Sequence, residues 1–156
     1  MNKTKPKRRM PRKPGPKTVA LIDRIIAEIQ KERLRFDMAS WTYANDRLAP
    51  CQTTACIAGY AVVLTSTPPK ESWRDRVIKS TQAVRDEKSG FIAEGQKALG
   101  ISRKAAQLLF FAGSWPRRFL EAYNRASREQ LKSADTRVQR ADVAIARLRY
   151  FARTGR

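Results

Sequence analysis

Residues 135–153, DTRVQRADVAIARLRYFAR, are the strongest periodic stretch in the chain. Val138, Ala141, Ala144, Ile145, Leu148, Phe151 and Ala152 recur at three- and four-residue spacing and fall on one stripe of a helix. A helix with such a stripe has to bury it against another layer. No run of alternating β-branched residues between turn residues occurs elsewhere, so the partners are expected to be helices and the fold class all-α.

Working outward, the same spacing recurs near the start. Val19, Leu21, Ile22, Ile25, Ile26 and Ile29 share one face of a helix expected from a Thr18 cap to about Glu32, with Asp23, Arg24, Glu28 and Lys31 outside. Phe36 to Cys51 reads as a loop carrying Phe36, Met38, Trp41 and Tyr43. From Thr53 or Thr54 a short helix through ACIAGYAVVL is expected, stopped by Pro68 and Pro69. Gly59 in its middle predicts a tight crossing against Trp41 or Phe36. Glu71 to Ser89 is polar and weakly helical, FIAEGQKALG is a helix ended by Gly100, and Ser102 caps RKAAQLLFF. Ser114 is expected to cap WPRRFLEAYNRA, with Pro116 in its first turn. The sum is a compact bundle of about five to six helices in one domain, residues 18–156. No internal repeat or heptad run points to a solenoid or long coiled coil.

Residues 1–17, MNKTKPKRRMPRKPGPK, differ in kind: eight basic residues, no acid and four of the eight prolines. They hold too little apolar surface to offset the entropy of ordering, so a disordered basic arm is expected. Of 156 residues, 33 are Lys or Arg and 14 Asp or Glu, a formal charge of +19. Outside the arm the excess sits in residues 101–156, with thirteen basic side chains against four acidic, while residues 18–50 balance.

The chain has no histidine, which removes Ser-His-Asp and Cys-His catalysis and every His-containing zinc site. Two cysteines, Cys51 and Cys56, exclude a disulfide-rich scaffold and favour a reducing compartment. They supply two of the four ligands zinc needs, and the expected role is packing, with thiol chemistry the lesser alternative. The glycines match neither a Walker nor a dinucleotide pattern, and the scattered carboxylates give no two-metal set. No metal, cofactor or catalytic residue is therefore expected. The apolar stretch ending at Pro69 is too short to span a membrane, and Asp23, Arg24 and Glu28 interrupt any secretory core. A cytoplasmic protein, associated with a nucleoid or a virion if with either, is the expectation.

The cations define the expected partner. In the arm they are Lys3, Lys5, Lys7, Arg8, Arg9, Arg12, Lys13 and Lys17. In the last helix, Arg140 and Arg147 line one border of the apolar stripe and Arg149 and Arg153 the other, with Tyr150 exposed between them. Together they would grip the phosphate backbone of DNA or RNA. The arm lacks a Gly-Arg-Pro core, so sequence-specific minor-groove reading is not expected. Phe110, Phe111, Trp115, Phe119 and Tyr123 are assigned to the core, base stacking being the lesser alternative.

Phe36-Asp37-Met38 and Trp41, then Cys51-x-Thr53-x-Ala55-Cys56-Ile57-Ala58-Gly59, Leu109-Phe110 and Trp115-Pro116, resemble a family of short helical proteins of bacterial and phage genomes. The resemblance spans about residues 34 to 153 and includes the closing Arg147 to Phe151 pattern; Gln52 stands where the family usually has glycine. It implies a small helical domain of prokaryotic or viral origin and carries over no catalytic residue. The function expected is non-enzymatic nucleic-acid binding. The alternative is a phage or bacterial interaction protein, an inhibitor or virion component, whose arm docks on an acidic protein.

Overall fold

In the computed structural model, which describes residues 13–44, 53–128 and 133–156, the isoleucines of the first periodic stretch are buried along helix α1 (Pro16–Lys31). Proline suits a first turn because the N–H it lacks has no partner there. The helix thus begins inside the stretch assigned to the arm, of which residues 1–12 lie outside the described residues. Thr18 is not the cap. It is buried in the first turn, and its hydroxyl donates to the carbonyl of Leu99 at 2.7 Å.

A 3-10 turn (Arg33–Arg35) leads to two short antiparallel strands, β1 (Thr42–Ala44) and β2 (Thr53–Ala55), with Tyr43 opposite Thr54. Helix α2 (Ile57–Ser66) therefore starts later than expected, with Cys56 at its N-cap. The β-branched Thr53 and Thr54 favour extended backbone. Ala55 also bridges Phe36, and the Cys56 N–H donates to Ser40 O at 2.9 Å, so this segment is held extended from both sides. Helix α2 is buried on every face from Ile57 to Leu64.

Helix α3 (Trp73–Glu87) occupies the segment expected to be only weakly helical. Ser72 caps it, accepting from the Asp75 N–H at 3.2 Å and donating to the Asp75 carboxylate at 2.6 Å. Its buried residues Trp73, Arg76, Val77, Ser80 and Val84 have helical spacing, but an arginine and a serine within the stripe hide it from a hydropathy reading. With α3 the described residues hold seven α-helices rather than five or six. Arg76 and Arg24 also close the end of α2. Arg24 donates to Leu64 O at 2.9 Å, and Arg76 to Thr67 Oγ1 at 2.9 Å and Val63 O at 3.4 Å, two cations at the negative end of the helix dipole.

Helix α4 (Phe91–Leu99) ends at Gly100, and Ser102 caps α5 (Arg103–Phe110), both as expected. Gly95 of α4 packs on α2 so closely that a Cβ there would sit 3.2 Å from Ala58 Cα. Ser114 instead ends a second 3-10 turn (Ala112–Ser114), and α6 (Arg117–Arg128) begins after Pro116. The Trp115 indole N–H, bonded to Leu109 O at 3.0 Å, keeps that residue extended in the core. Helix α7 (Ala134–Thr154), capped by Ser133, matches the expected last helix within a residue at either end.

Helix α7 closes the bundle on α1 and α6. Its early residues are tied to the chain just after α1: Arg33 Nε donates to Asp142 at 2.6 Å, and Arg137 reaches Leu34 O at 3.3 Å and lies 3.7 Å from the Asp37 carboxylate. The order of these contacts, Arg137 at Leu34 and Asp37 and then Asp142 at Arg33, with α7 packed on α1 beyond them, implies that α7 runs back along α1 toward its N-terminal end. Among the described residues no helix is long and apolar enough to cross a membrane.

Candidate nucleic-acid interface

The topology decides which cations share a region. Because α1 and α7 run in opposite directions, the chain from residue 13 to Lys17 and the last turns of α7 lie toward the same end of the bundle. Lys13 and Lys17 are exposed there. Arg149 and Arg153, one helical turn apart on α7, are also exposed and have no carboxylate partner among the described residues. Their position at a helix C-terminus is favourable in itself, since cations there complement the dipole, and it leaves both guanidinium groups in solvent. The bond from Thr18 to Leu99 brings the junction of α4 and α5 to this end too, adding Arg103 and Lys104, both exposed.

Two of the expected arginines are placed otherwise. Arg147 is fully buried, so it does not line the surface. Its Nη1 donates to Arg156 O at 3.0 Å and its Nη2 to Leu108 O at 2.9 Å, with Phe119, Tyr150 and Phe151 around the guanidinium. Burial lowers its pKa to about 10, which still leaves it charged at neutral pH. Arg147 thus ties α7 to the end of α5 and cannot reach a phosphate. Arg140 is half-buried, 5.4 Å over the ring of Tyr123. Tyr150 is also half-buried, with Arg118 of α6 lying 4.4 Å from its ring centre. Lys3, Lys5, Lys7, Arg8, Arg9 and Arg12 lie outside the described residues.

Of the two cysteines, Cys56 is fully buried as a free thiol, and Cys51 lies outside the described residues. Burial pushes the Cys56 thiol up to about 12, more than offsetting the backbone amides of Gly59 and Ala58 that favour its thiolate. It is protonated at neutral pH and is no nucleophile there.

The aromatic residues divide as well. Phe110, Trp115, Phe119 and Tyr123 are core residues as expected, but Phe111 is 39% exposed. It meets Trp41 edge-on, ring centres 5.8 Å apart at 83°. Trp41 borders an open groove of about 470 Å³, also lined by Phe91, Ile92, Gln96 and Arg103. The sequence reading missed this groove. Its one signal was a second phenylalanine at the end of α5, where the buried stripe needs only Phe110. Comparison with protein-family models, curated proteins and solved structures finds no match for the chain.

Proposed function

We propose that this protein binds nucleic acid without catalysing a reaction on it, holding the phosphate backbone between its basic N-terminal segment and the basic end of the bundle. The observation that carries this reading is the shared end: Lys13, Lys17, Arg149 and Arg153 are all exposed, and the sequence that precedes Lys13 holds six further cations. A field of one sign at one end attracts a polyanion and supplies sequence-independent affinity. A cytoplasmic setting, with nucleoid or virion association, belongs to the same reading.

Salt dependence tests it. Each phosphate neutralised on duplex DNA contributes about −0.9 to the slope of log affinity against log salt. Deleting residues 1–12, which leaves α1 whole, should flatten the slope by about 5 if the six cations engage, and should weaken unrelated duplexes about equally. Arg149→Gln with Arg153→Gln should flatten it by about 2 more. A truncated chain with the full chain's affinity and slope overturns the role of residues 1–12. A full chain that ignores nucleic acid but binds an acidic protein in a salt-sensitive way overturns the whole reading.

A further inference from the structure

The groove beside Trp41 has a chemistry that phosphate binding does not use. Trp41 is 37% exposed and its neighbour Phe111 39%, so the two rings form an exposed apolar patch rather than a single exposed side chain. The indole is not loose: Phe111 packs edge-on against it, and the Trp41 carbonyl accepts from the Cys56 N–H at 3.4 Å. Phe91 and Ile92 extend the apolar wall, with Ile92 also 37% exposed. The polar lining is short and directional. Gln96 offers an amide that both donates and accepts, whereas Ser89 Oγ is itself buried and, among the described residues, without a hydrogen-bond partner.

Charge narrows the occupant. Among the described residues no carboxylate lines the groove, and Arg103 is part of its lining. Arg103 is the first residue of α5, three positions beyond the Gly100 end of α4, at the junction that Thr18 binds to the root of α1. The groove is therefore continuous with the basic end of the bundle. Its volume falls within the range of about 300–1,000 Å³ usual for small-ligand sites. An exposed aromatic ring held by a neighbouring ring, in one groove with a guanidinium and an amide, is the makeup of a stacking platform for an unpaired base.

We propose that this groove takes a base of single-stranded nucleic acid, stacked on Trp41 with its phosphate on Arg103, so that the protein prefers unpaired strands to duplex. The inference rests on the nucleic-acid reading above and deepens it. A base inside a duplex has both faces covered by its neighbours, so only an unpaired strand can offer one to the indole.

The test compares an oligothymidylate of about twenty nucleotides with a duplex of equal length at one salt concentration, using the full chain. Single strand should bind tighter, and it should quench the fluorescence of Trp41, since Trp73 and Trp115 are buried. Trp41→Ala should weaken the single strand about tenfold or more and leave the duplex unchanged, while Trp41→Phe should recover part of the loss. Arg103→Gln, at an exposed position where folding is not in question, should weaken both polymers, the single strand more. Equal affinities with no effect of Trp41→Ala on oligothymidylate overturn the groove's role and leave the phosphate reading standing; that result is also what a groove for an apolar peptide side chain would give. A full chain that binds neither polymer overturns both readings.

Discussion

The carbonyl oxygen of Trp41 occupies the space that a Cβ on Gly59 would fill. Loop and helix α2 meet there backbone to backbone, with the Cys56 N–H bonding Ser40 O and Trp41 O just before the helix begins. The obstacle is main chain, not a rotatable side-chain tip.

Gly59→Ala should therefore destabilise the protein by about 1–3 kcal/mol or more, the range for overpacking that forces the backbone to shift. Gly113→Ala is the matched control: nothing lies within 4 Å of a Cβ there, and the expected change is within about 0.5 kcal/mol. Urea denaturation followed by circular dichroism measures both. Equal midpoints for the two variants would show that the segment around Trp41 yields easily.

Arg147 and its neighbours on α7 should separate sharply. Arg147→Met keeps the apolar stem but removes the charge-assisted bonds to Leu108 O and Arg156 O, and should cost about 2–4 kcal/mol. Arg147→Lys should recover little, because one ammonium cannot reproduce the planar fork that serves two carbonyls. Arg149→Met and Arg153→Met, at exposed positions, should stay within about 0.5 kcal/mol. A stable Arg147→Met protein would mean that the two carbonyls find other donors.

The buried thiol makes stability depend on alkaline pH. Cys56 rises from an ordinary value of 9.0 to about 12 and Tyr123 from 10.0 to about 12, burial being the first cause for each. The folded state thus holds more protons than the unfolded state above pH 9, so this stabilisation is complete below pH 9 and is lost as pH rises toward 12. Arg147 acts in the opposite sense, its folded value of about 10 lying below the ordinary 12.5, so it adds stability only above pH 10. Between pH 9 and 10 the thiol dominates. Melting temperature should fall there in the parent and stay flatter in Cys56→Ala; identical slopes would show that Cys56 ionises while folded.

Much of this was legible in the residues and some was not, for physical reasons. The stripes of α1 and α7, the Ser102 cap and the close approach at Gly59 follow from spacing and from glycine's missing side chain, which are local. Arg147 was not legible. It lies three residues after Ala144 and four before Phe151, inside the stripe, and a pattern rule sends such a charge to the border unless it knows that Leu108 O and Arg156 O await it. The same holds for Arg76 in α3. β2 escaped notice because three extended residues gain their identity from Phe36 and β1 rather than from their own alternation. For the interface, the cations could be read, but their convergence on one end depends on the opposed directions of α1 and α7, which no single segment contains.

That the first helix finds its partner in the last sets the order of events during synthesis. The bond from Arg33 to Asp142 joins residues 109 positions apart. At about 5–20 residues per second a ribosome needs about 5–20 s to cover that distance. α2 and α4 also pack on α1 and are made earlier, so what waits throughout that interval is the part of the α1 surface that α7 covers. A pause in translation just before α7 would lengthen the time for which that surface stays uncovered.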